Sequence, residues 1–178
     1  TGSAGDIGTE LATSPLVRKL SFTGSTEVGR HLMQQTAATI KKVSMELGGN
    51  APFIVFEDAD LDAAVQGAIV SKFRNAGQTC VCANRLYVHT RVYDAFAAKL
   101  AEALRSLKVG PGDEDGVGIG PLIDEAAVRK VEEHLDDAKA KGARVLMGGN
   151  RHALGRSFFE PTVLTGVTQA MRVAREET

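Results

Sequence analysis

Apolar positions recur along the chain with two spacings, one typical of helices and one typical of strands. Helical spacing predicts helices over residues 26–42, 61–73, 92–107 and 128–138. Short apolar runs predict strands over residues 18–22, 53–56, 85–89 and 143–149, with 157–167 as a candidate for one more. We expect the run at 53–56 to be a fully buried strand. Alternation of strands and helices predicts an α/β protein with a largely parallel sheet.

Turn-forming residues separate these elements. Residues 1–8 are rich in small residues and are predicted to form turns, and residues 110–121 are predicted to form a long loop. Asp58 or Asp60 is the expected cap of the helix predicted over 61–73.

Composition limits the classes of function. The chain has 178 residues, enough for one ordinary domain or a piece of two, and 43% of them are hydrophobic against 24% charged. The formal net charge of -1 leaves no basic footprint for nucleic acid. The apolar runs are far shorter than the ~20 residues of a membrane helix, and residues 1–11 lack the pattern of a targeting signal. We therefore expect a cytoplasmic protein that binds neither nucleic acid nor membrane.

The chain contains two cysteines, Cys80 and Cys82, in a segment too rich in glycine, asparagine and threonine to continue a helix. Two thiols do not make a disulfide framework, and a reducing compartment keeps both reduced. Structural zinc needs four ligands, usually in C-x2-C pairs, and the four histidines are scattered singly, so no metal site is expected. The thiols themselves remain the candidates for chemistry.

A first candidate site is the turn inside the stretch FTGSTEVG. A strand followed by Gly24, Ser25 and a helix start would direct free backbone N–H groups and the positive end of a helix dipole at a phosphate. The alternative is an ordinary strand-to-helix turn with Ser25 or Thr26 as its N-cap, which the short motif alone favours.

A second candidate is Glu46 in the stretch SMELGGN. Its neighbours in sequence are Met45 and Leu47, and a carboxylate surrounded by apolar groups holds a proton more readily and can serve as a general base. The alternative is a surface glutamate in a short strand that ends in a double-glycine turn, which the motif alone favours.

The third candidate is the loop FRNAGQTCVCANR. An exposed loop thiol such as Cys80, near backbone N–H donors or a helix amino end, readily becomes a thiolate nucleophile. Arg74, six residues earlier, is a candidate anchor for an anion. The alternatives are buried thiols that pack as small apolar groups for Cys80 and Cys82, and a solvated arginine. The three motifs together favour chemistry.

Taken in order, FTGSTEVG, MELGGNAPFIVF, FRNAGQTC and the terminal REET resemble the aldehyde dehydrogenase superfamily over essentially the whole chain. ELGGN with a GQTC cysteine 34 residues after its glutamate is a specific signature. KFRNAGQTCVCANR is similar to the succinate-semialdehyde dehydrogenases of that superfamily. The resemblance implies an aldehyde dehydrogenase-like α/β fold. Residues 1–47 would be the end of a Rossmann-type cofactor domain, and residues 48–178 most of the catalytic domain.

The resemblance also implies roles in catalysis. Cys80 would be the nucleophile and Glu46 the general base of an aldehyde oxidation that passes through a cysteine thioester. Arg74 would pair with the far carboxylate of a semialdehyde acid, a bidentate contact that suits a guanidinium. Cys82 would be a redox partner of Cys80, because a disulfide across one residue is strained and easily reduced.

Further residues are implied for the cofactor, which would be NADP or NAD. Gly24 and Ser25 would approach the cofactor pyrophosphate. The backbone of Leu47 would meet the nicotinamide carboxamide, and Glu177 would hold the nicotinamide ribose hydroxyls.

Members of the superfamily are far longer than this chain, so the resemblance implies an internal fragment that is inactive alone. The complete protein would be a homo-oligomer, a dimer or tetramer, that oxidises succinic semialdehyde, or alternatively a glutarate or other ω-semialdehyde. An alternative of another class is a catalytically silent folded fragment that acts as a structural or interaction module.

Overall fold

The computed structural model describes residues 1–178, which divide into two compact units, Thr1–Gly48 and Gly49–Thr178. Each unit has its own strands, helices and apolar core. Both mix strands and helices, so the predicted α/β class is confirmed. None of the helices combines the length and the apolar character that a membrane span requires.

The first unit has the order α1 (Ala4–Thr13), β1 (Lys19–Gly24), α2 (Thr26–Ala37) and β2 (Lys42–Leu47). The two strands pair in parallel, as expected for strands joined by a helical crossover. Ala12 of α1, Leu20 of β1 and Leu32 of α2 form the buried core of this unit.

Two predictions for the first unit are wrong. Residues 1–8 were expected to form turns, but α1 begins at Ala4, because Ser3 caps it by accepting a hydrogen bond from the Asp6 N–H at 3.4 Å. The helix predicted to continue to residue 42 ends at Ala37. Ile40, expected on its apolar face, has a left-handed φ of 52° and is 91% exposed, because the chain turns there to enter β2.

The second unit contains the remaining elements. They are β3 (Ala51–Val55), α3 (Leu61–Phe73), a 3₁₀ turn (Arg74–Gly77), β4 (Ala83–Val88), α4 (Tyr93–Arg105), β5 (Lys108–Val109), β6 (Val117–Ile119), α5 (Glu125–Ala140), β7 (Arg144–Met147), β8 (Val163–Thr165) and α6 (Arg172–Arg175). Asp60 is the cap of α3, since its carboxylate accepts from the N–H groups of Asp62 and Ala63. The loop predicted over 110–121 is interrupted by the short strand β6.

Strands of the second unit pair two by two. β3 with β4 and β5 with β6 are parallel, whereas β7 with β8 is antiparallel. The parallel sheet expected from the sequence is thus present as parallel pairs, with one antiparallel exception.

The strand β3 is not fully buried, contrary to the prediction. Val55 packs with residues of α3 and α4 in the core, whereas Ile54 is 59% exposed and Phe56 after the strand is 65% exposed. Helices cover one face of this strand pair, and successive side chains of a strand alternate between faces. An unbroken apolar run does not reveal that only one face is covered.

Candidate active site

The first unit brings two of the sequence motifs to one edge. In the parallel pairing, Thr23 lies opposite Glu46 and Gly24 lies opposite Leu47. Both motifs therefore end at the carboxyl edge of β1 and β2, the edge at which α/β proteins bind ligands.

Ser25 is the N-cap of α2, because its Oγ accepts a hydrogen bond from the Val28 N–H at 3.3 Å. The capping alternative proposed from the sequence is therefore what the structure shows for this side chain. Other N–H groups of the first turn have no partner inside the helix and point out of its amino end, so capping leaves room for an anion there.

Gly29 is a residue of this edge that sequence analysis missed. A Cβ at Gly29 would lie 2.6 Å from Cδ2 of Leu47, so the absence of a side chain lets α2 pack closely on the end of β2. Its position, five residues after Gly24 at the end of FTGSTEVG, was the available signal.

Glu46 is exposed on β2, and its sequence neighbours Met45 and Leu47 are half-buried. Alternation along a strand directs those two side chains to the face opposite Glu46. The expectation of an apolar environment for the carboxylate is therefore wrong, since the apolar neighbours in sequence are not neighbours on its face. Glu46 remains reachable by water and by a ligand at the carboxyl edge.

The second unit presents Cys80 on a loop between the 3₁₀ turn and β4, as predicted. Asn75 and Ala76 have left-handed φ values of 53°, which turns the chain sharply after α3. The Cys80 side chain is exposed, so the buried-thiol alternative is excluded for this residue. Its backbone N–H donates to no backbone carbonyl and is free to meet a ligand.

Gln78 braces this loop. Its Oε1 accepts from the Ile123 N–H at 2.8 Å, and its Nε2 donates to the carbonyls of Asn75 and Pro121, both at 3.2 Å. The sequence gives no local signal for this role, because two of the partners are more than forty positions away along the chain.

Cys82 differs from Cys80 in being buried. Its Sγ lies 2.7 Å from Oγ1 of Thr79 and donates to the Lys72 carbonyl at 3.4 Å. The alternative of a buried packing thiol therefore describes where Cys82 lies. Both cysteines are free thiols.

Lys72 is a second residue that sequence analysis missed. Its ammonium donates to Oδ1 of Asn84, a residue of β4 just after the loop that carries Cys80. Burial lowers the pKa of Lys72 from its usual value of 10.5, and the negative charge of Glu177 acts in the opposite sense. An ammonium on α3 is thus held between the cysteine loop and the end of the chain.

One cavity of about 720 Å³ opens inside the second unit. Cys80, Lys72, His134 and Glu177 all lie on its wall. Arg74 is exposed and is not among the residues that form this wall. The second unit therefore gathers a thiol, a cation and a carboxylate around a space large enough for a small ligand.

Comparison with known proteins decides the family. The sequence model described as the aldehyde dehydrogenase family matches residues 1–178. This chain belongs to the aldehyde dehydrogenase family.

Three relatives within the family carry different substrate names. The chain is 68% identical to a 3-sulfolactaldehyde dehydrogenase of Pseudomonas putida and 66% identical to an NADP-dependent succinate-semialdehyde dehydrogenase of Escherichia coli. It is 64% identical to a glutarate-semialdehyde dehydrogenase of Pseudomonas aeruginosa. In each case the match covers 100% of this chain and 37% of the relative.

The fold agrees with that of solved aldehyde dehydrogenases. The crystal structure of succinate-semialdehyde dehydrogenase from Burkholderia pseudomallei matches with a TM-score of 0.97 and 68% identity, over 99% of this chain and 37% of that one. This aldehyde dehydrogenase chain therefore spans a little over a third of the length of the relatives that it matches.

The predicted site residues of this aldehyde dehydrogenase chain fall into two groups. The first unit gathers Gly24, Ser25, Glu46 and Leu47 at one strand edge, and the second gathers Cys80 and Glu177 at one cavity, with Cys82 behind the loop and Arg74 at its start. No cluster of three or more potential metal ligands is present.

Proposed function

We propose that this chain is part of an aldehyde dehydrogenase that oxidises succinic semialdehyde to succinate with NADP or NAD. The observation that carries the proposal is Cys80, exposed at the wall of the cavity with an unpaired backbone N–H. Below, "the complete enzyme" means this chain joined to the remaining length of protein that its relatives have.

In the proposed chemistry, the Cys80 thiolate adds to the aldehyde carbon and forms a thiohemiacetal. The free Cys80 N–H donates to the developing oxyanion, in the manner of an oxyanion hole. After oxidation a thioester remains on Cys80. Glu46 then deprotonates the water that hydrolyses it.

Residues of this chain fit a bound dinucleotide, which would supply the hydride acceptor. The amino end of α2, opened by Gly24 and capped by Ser25, suits the pyrophosphate, and the close packing at Gly29 is what a phosphate-binding turn requires. We assign the backbone of Leu47 to the nicotinamide carboxamide and Glu177 to the ribose hydroxyls.

The unit Thr1–Gly48 is proposed to be the end of the cofactor domain, and the unit Gly49–Thr178 most of the catalytic domain. The complete enzyme is proposed to be a cytoplasmic homo-oligomer, a dimer or tetramer.

Arg74 is proposed to bind the far carboxylate of the substrate. It is exposed at the start of the nucleophile loop, where its guanidinium is available to an anion. The substrate names of the three relatives share an acidic end group, a carboxylate or a sulfonate. The second candidate substrate is accordingly glutarate semialdehyde, which the same arginine would serve.

The test is turnover by the complete enzyme with NADP and NAD, on semialdehyde acids of increasing chain length. We expect the highest kcat/KM with succinic semialdehyde, and a higher value with the five-carbon acid would transfer the proposal to glutarate semialdehyde. Cys80→Ser should lower kcat at least ~10³-fold, because the nucleophile is lost, whereas the matched variant Cys82→Ser should keep it. Full activity in Cys80→Ser would refute the proposed chemistry.

The 178-residue chain alone should show no turnover. The chain spans 37% of the length of its relatives, and the proposed reaction needs a complete cofactor site. Measurable turnover by the isolated chain would contradict these domain assignments, and inactivity of the complete enzyme would favour a silent structural module.

A further inference from the structure

His134 is a buried polar side chain to which the proposed chemistry gives no role. It lies on α5, is 0% exposed, and is one of two buried polar residues in the chain, with Thr36. A buried imidazole needs hydrogen-bond partners for both ring nitrogens.

Both partners come from the last three residues. The His134 Nδ1 lies 2.9 Å from Oγ1 of Thr178, and Nε2 lies 3.3 Å from Oε2 of Glu176. A carboxylate only accepts, so Nε2 carries the hydrogen and Nδ1 accepts from the Thr178 hydroxyl. The contacts therefore select one neutral tautomer.

The protonation of the ring agrees with this assignment. Burial lowers the pKa of His134 below its usual 6.5, and the positive charges of Arg172 and Lys130 act in the same direction. Glu176 opposes them but does not reverse the direction. The neutral ring is thus the form present near pH 7.

The two partners stand on either side of Glu177. The backbone at Glu176 is extended, with φ of -111° and ψ of 144°. Alternate side chains of an extended segment point the same way, in agreement with the contacts that both Glu176 and Thr178 make to the imidazole. Glu177 lies on the wall of the same cavity as Cys80.

Glu176 has a second partner besides His134. The Arg172 guanidinium also binds the Glu176 carboxylate, with Nη2 to Oε2 at 3.0 Å. His134 differs from Arg172 in binding the side chains on both sides of Glu177. It therefore links the residue before Glu177 to the residue after it.

We propose that His134 is a positioning residue for Glu177. By binding the side chains before and after Glu177, it fixes the backbone that carries this carboxylate, and so holds Glu177 where the nicotinamide ribose binds. The inference rests on the proposed function, since it acts through the role assigned to Glu177.

The first variant is His134→Phe in the complete enzyme, which keeps a ring and removes both hydrogen bonds. We expect the Kd for NADP and for NAD, measured by calorimetric titration, to rise about tenfold, the size of one lost buried hydrogen-bonded pair. The KM for the aldehyde should stay within about twofold, because Cys80 and Arg74 are not touched.

Two further variants separate positioning from mere stability. His134→Gln should recover most of the cofactor affinity, because its amide can donate to Glu176 and accept from Thr178. Thr178→Val should weaken cofactor binding as His134→Phe does, and the double variant should be no weaker than either single one. If His134→Phe does not fold, Thr178→Val supplies the measurement.

Val128→Ala is the matched control on the same helix, because Val128 is fully buried and does not lie on the cavity wall. It removes buried packing from α5 and should lower thermal stability without changing the Kd for the cofactor. Equal loss of cofactor affinity in Val128→Ala would mean that His134 is only structural and would overturn the proposal.

The failure of this inference can be told from the failure of the proposed function. If the complete enzyme turns over and Glu177→Ala weakens cofactor binding, wild-type affinity in both His134→Phe and Thr178→Val overturns the role of His134. If Glu177→Ala binds NADP and NAD normally, the ribose contact and the inference fall together. Absence of aldehyde turnover in the wild type refutes the proposed function itself.

Discussion

At the scale of single residues, the two cysteines differ in what surrounds them. Cys80 is exposed, whereas Cys82 is buried against Thr79 and the Lys72 carbonyl. A Cys80–Cys82 disulfide would therefore require Cys82 to leave both contacts. The redox partnership of Cys80 and Cys82 stays a prediction. The contacts of Cys82 with Thr79 and Lys72 disfavour the disulfide in the folded protein.

Mild peroxide treatment of the complete enzyme tests this partnership. Peroxide should oxidise Cys80 to a sulfenic acid, which the Cys82 thiol then attacks with release of water to form the disulfide. Peptide mass mapping before and after treatment with a thiol reductant detects this disulfide. Cys82→Ser is the control variant, because it cannot form the bond. Two free thiols after treatment would exclude the switch.

Arg74→Lys tests substrate recognition. A lysine keeps the charge but loses the two-pronged contact with a carboxylate, so the KM for succinic semialdehyde should rise about tenfold. An uncharged aldehyde of similar length should keep its KM. Steady-state kinetics with both substrates check this, and an equal change for the two would show that Arg74 does not bind the carboxylate.

At the scale of elements, the turn after β7 depends on a glycine. Gly148 has φ of 70°, and a Cβ there would overlap the backbone carbonyl oxygen of Pro161, just before β8. Gly148→Ala should therefore push β7 and β8 apart. Gly155 is the matched control, because it has the same φ of 70° with nothing near its Cβ.

We expect Gly155→Ala to cost about 1 kcal/mol, the usual price of a left-handed alanine. Gly148→Ala should cost about 2 kcal/mol more, because overpacking against backbone cannot relax cheaply. Thermal unfolding of the complete enzyme measures both. Equal midpoints for the two variants would show that the turn is not constrained by Pro161.

Elements whose signals are local were predicted well. The bounds of α3 follow from helical spacing, and its Asp60 cap is one of the two aspartates, Asp58 and Asp60, that the sequence offered. The helix α1 was missed, because the three glycines of residues 1–8 outweighed the Ser3 cap in a judgement from composition. The exposed position of Glu46 could have been predicted from the sequence, since a strand places neighbouring side chains on opposite faces. The contacts of Gln78 and Lys72 could not have been predicted, because their partners lie outside the local sequence.

At the scale of the whole molecule, His134 makes stability depend on pH. Its pKa is lowered in the folded state, so the unfolded chain binds a proton first as the pH falls. The contribution of the neutral His134 ring to the free energy of unfolding is fully present above pH 6.5. It is lost as the pH falls from 6.5 toward the lower pKa of the folded state. The charged groups that face the ring are Glu176, Arg172 and Lys130.

Thermal midpoints of the complete enzyme between pH 7 and pH 5 check this dependence. His134→Gln carries no titrating ring and should show a smaller decline over that interval. The lowered pKa values of Glu176 and Asp137 act in a separate and lower window, since carboxylates lose their contribution below about pH 4.5. If the thermal midpoints of the wild type and of His134→Gln fall equally with pH, groups other than His134 cause the decline.

The brace made by Gln78 also sets an order of events in folding. Its partners at Pro121 and Ile123 lie 43 and 45 residues further along the chain. Contacts of such separation form after local helices, because the loop between them must first close. During synthesis the Cys80 thiol therefore emerges on an unbraced loop, and this loop takes its braced conformation only after residue 123 has left the ribosome and docked.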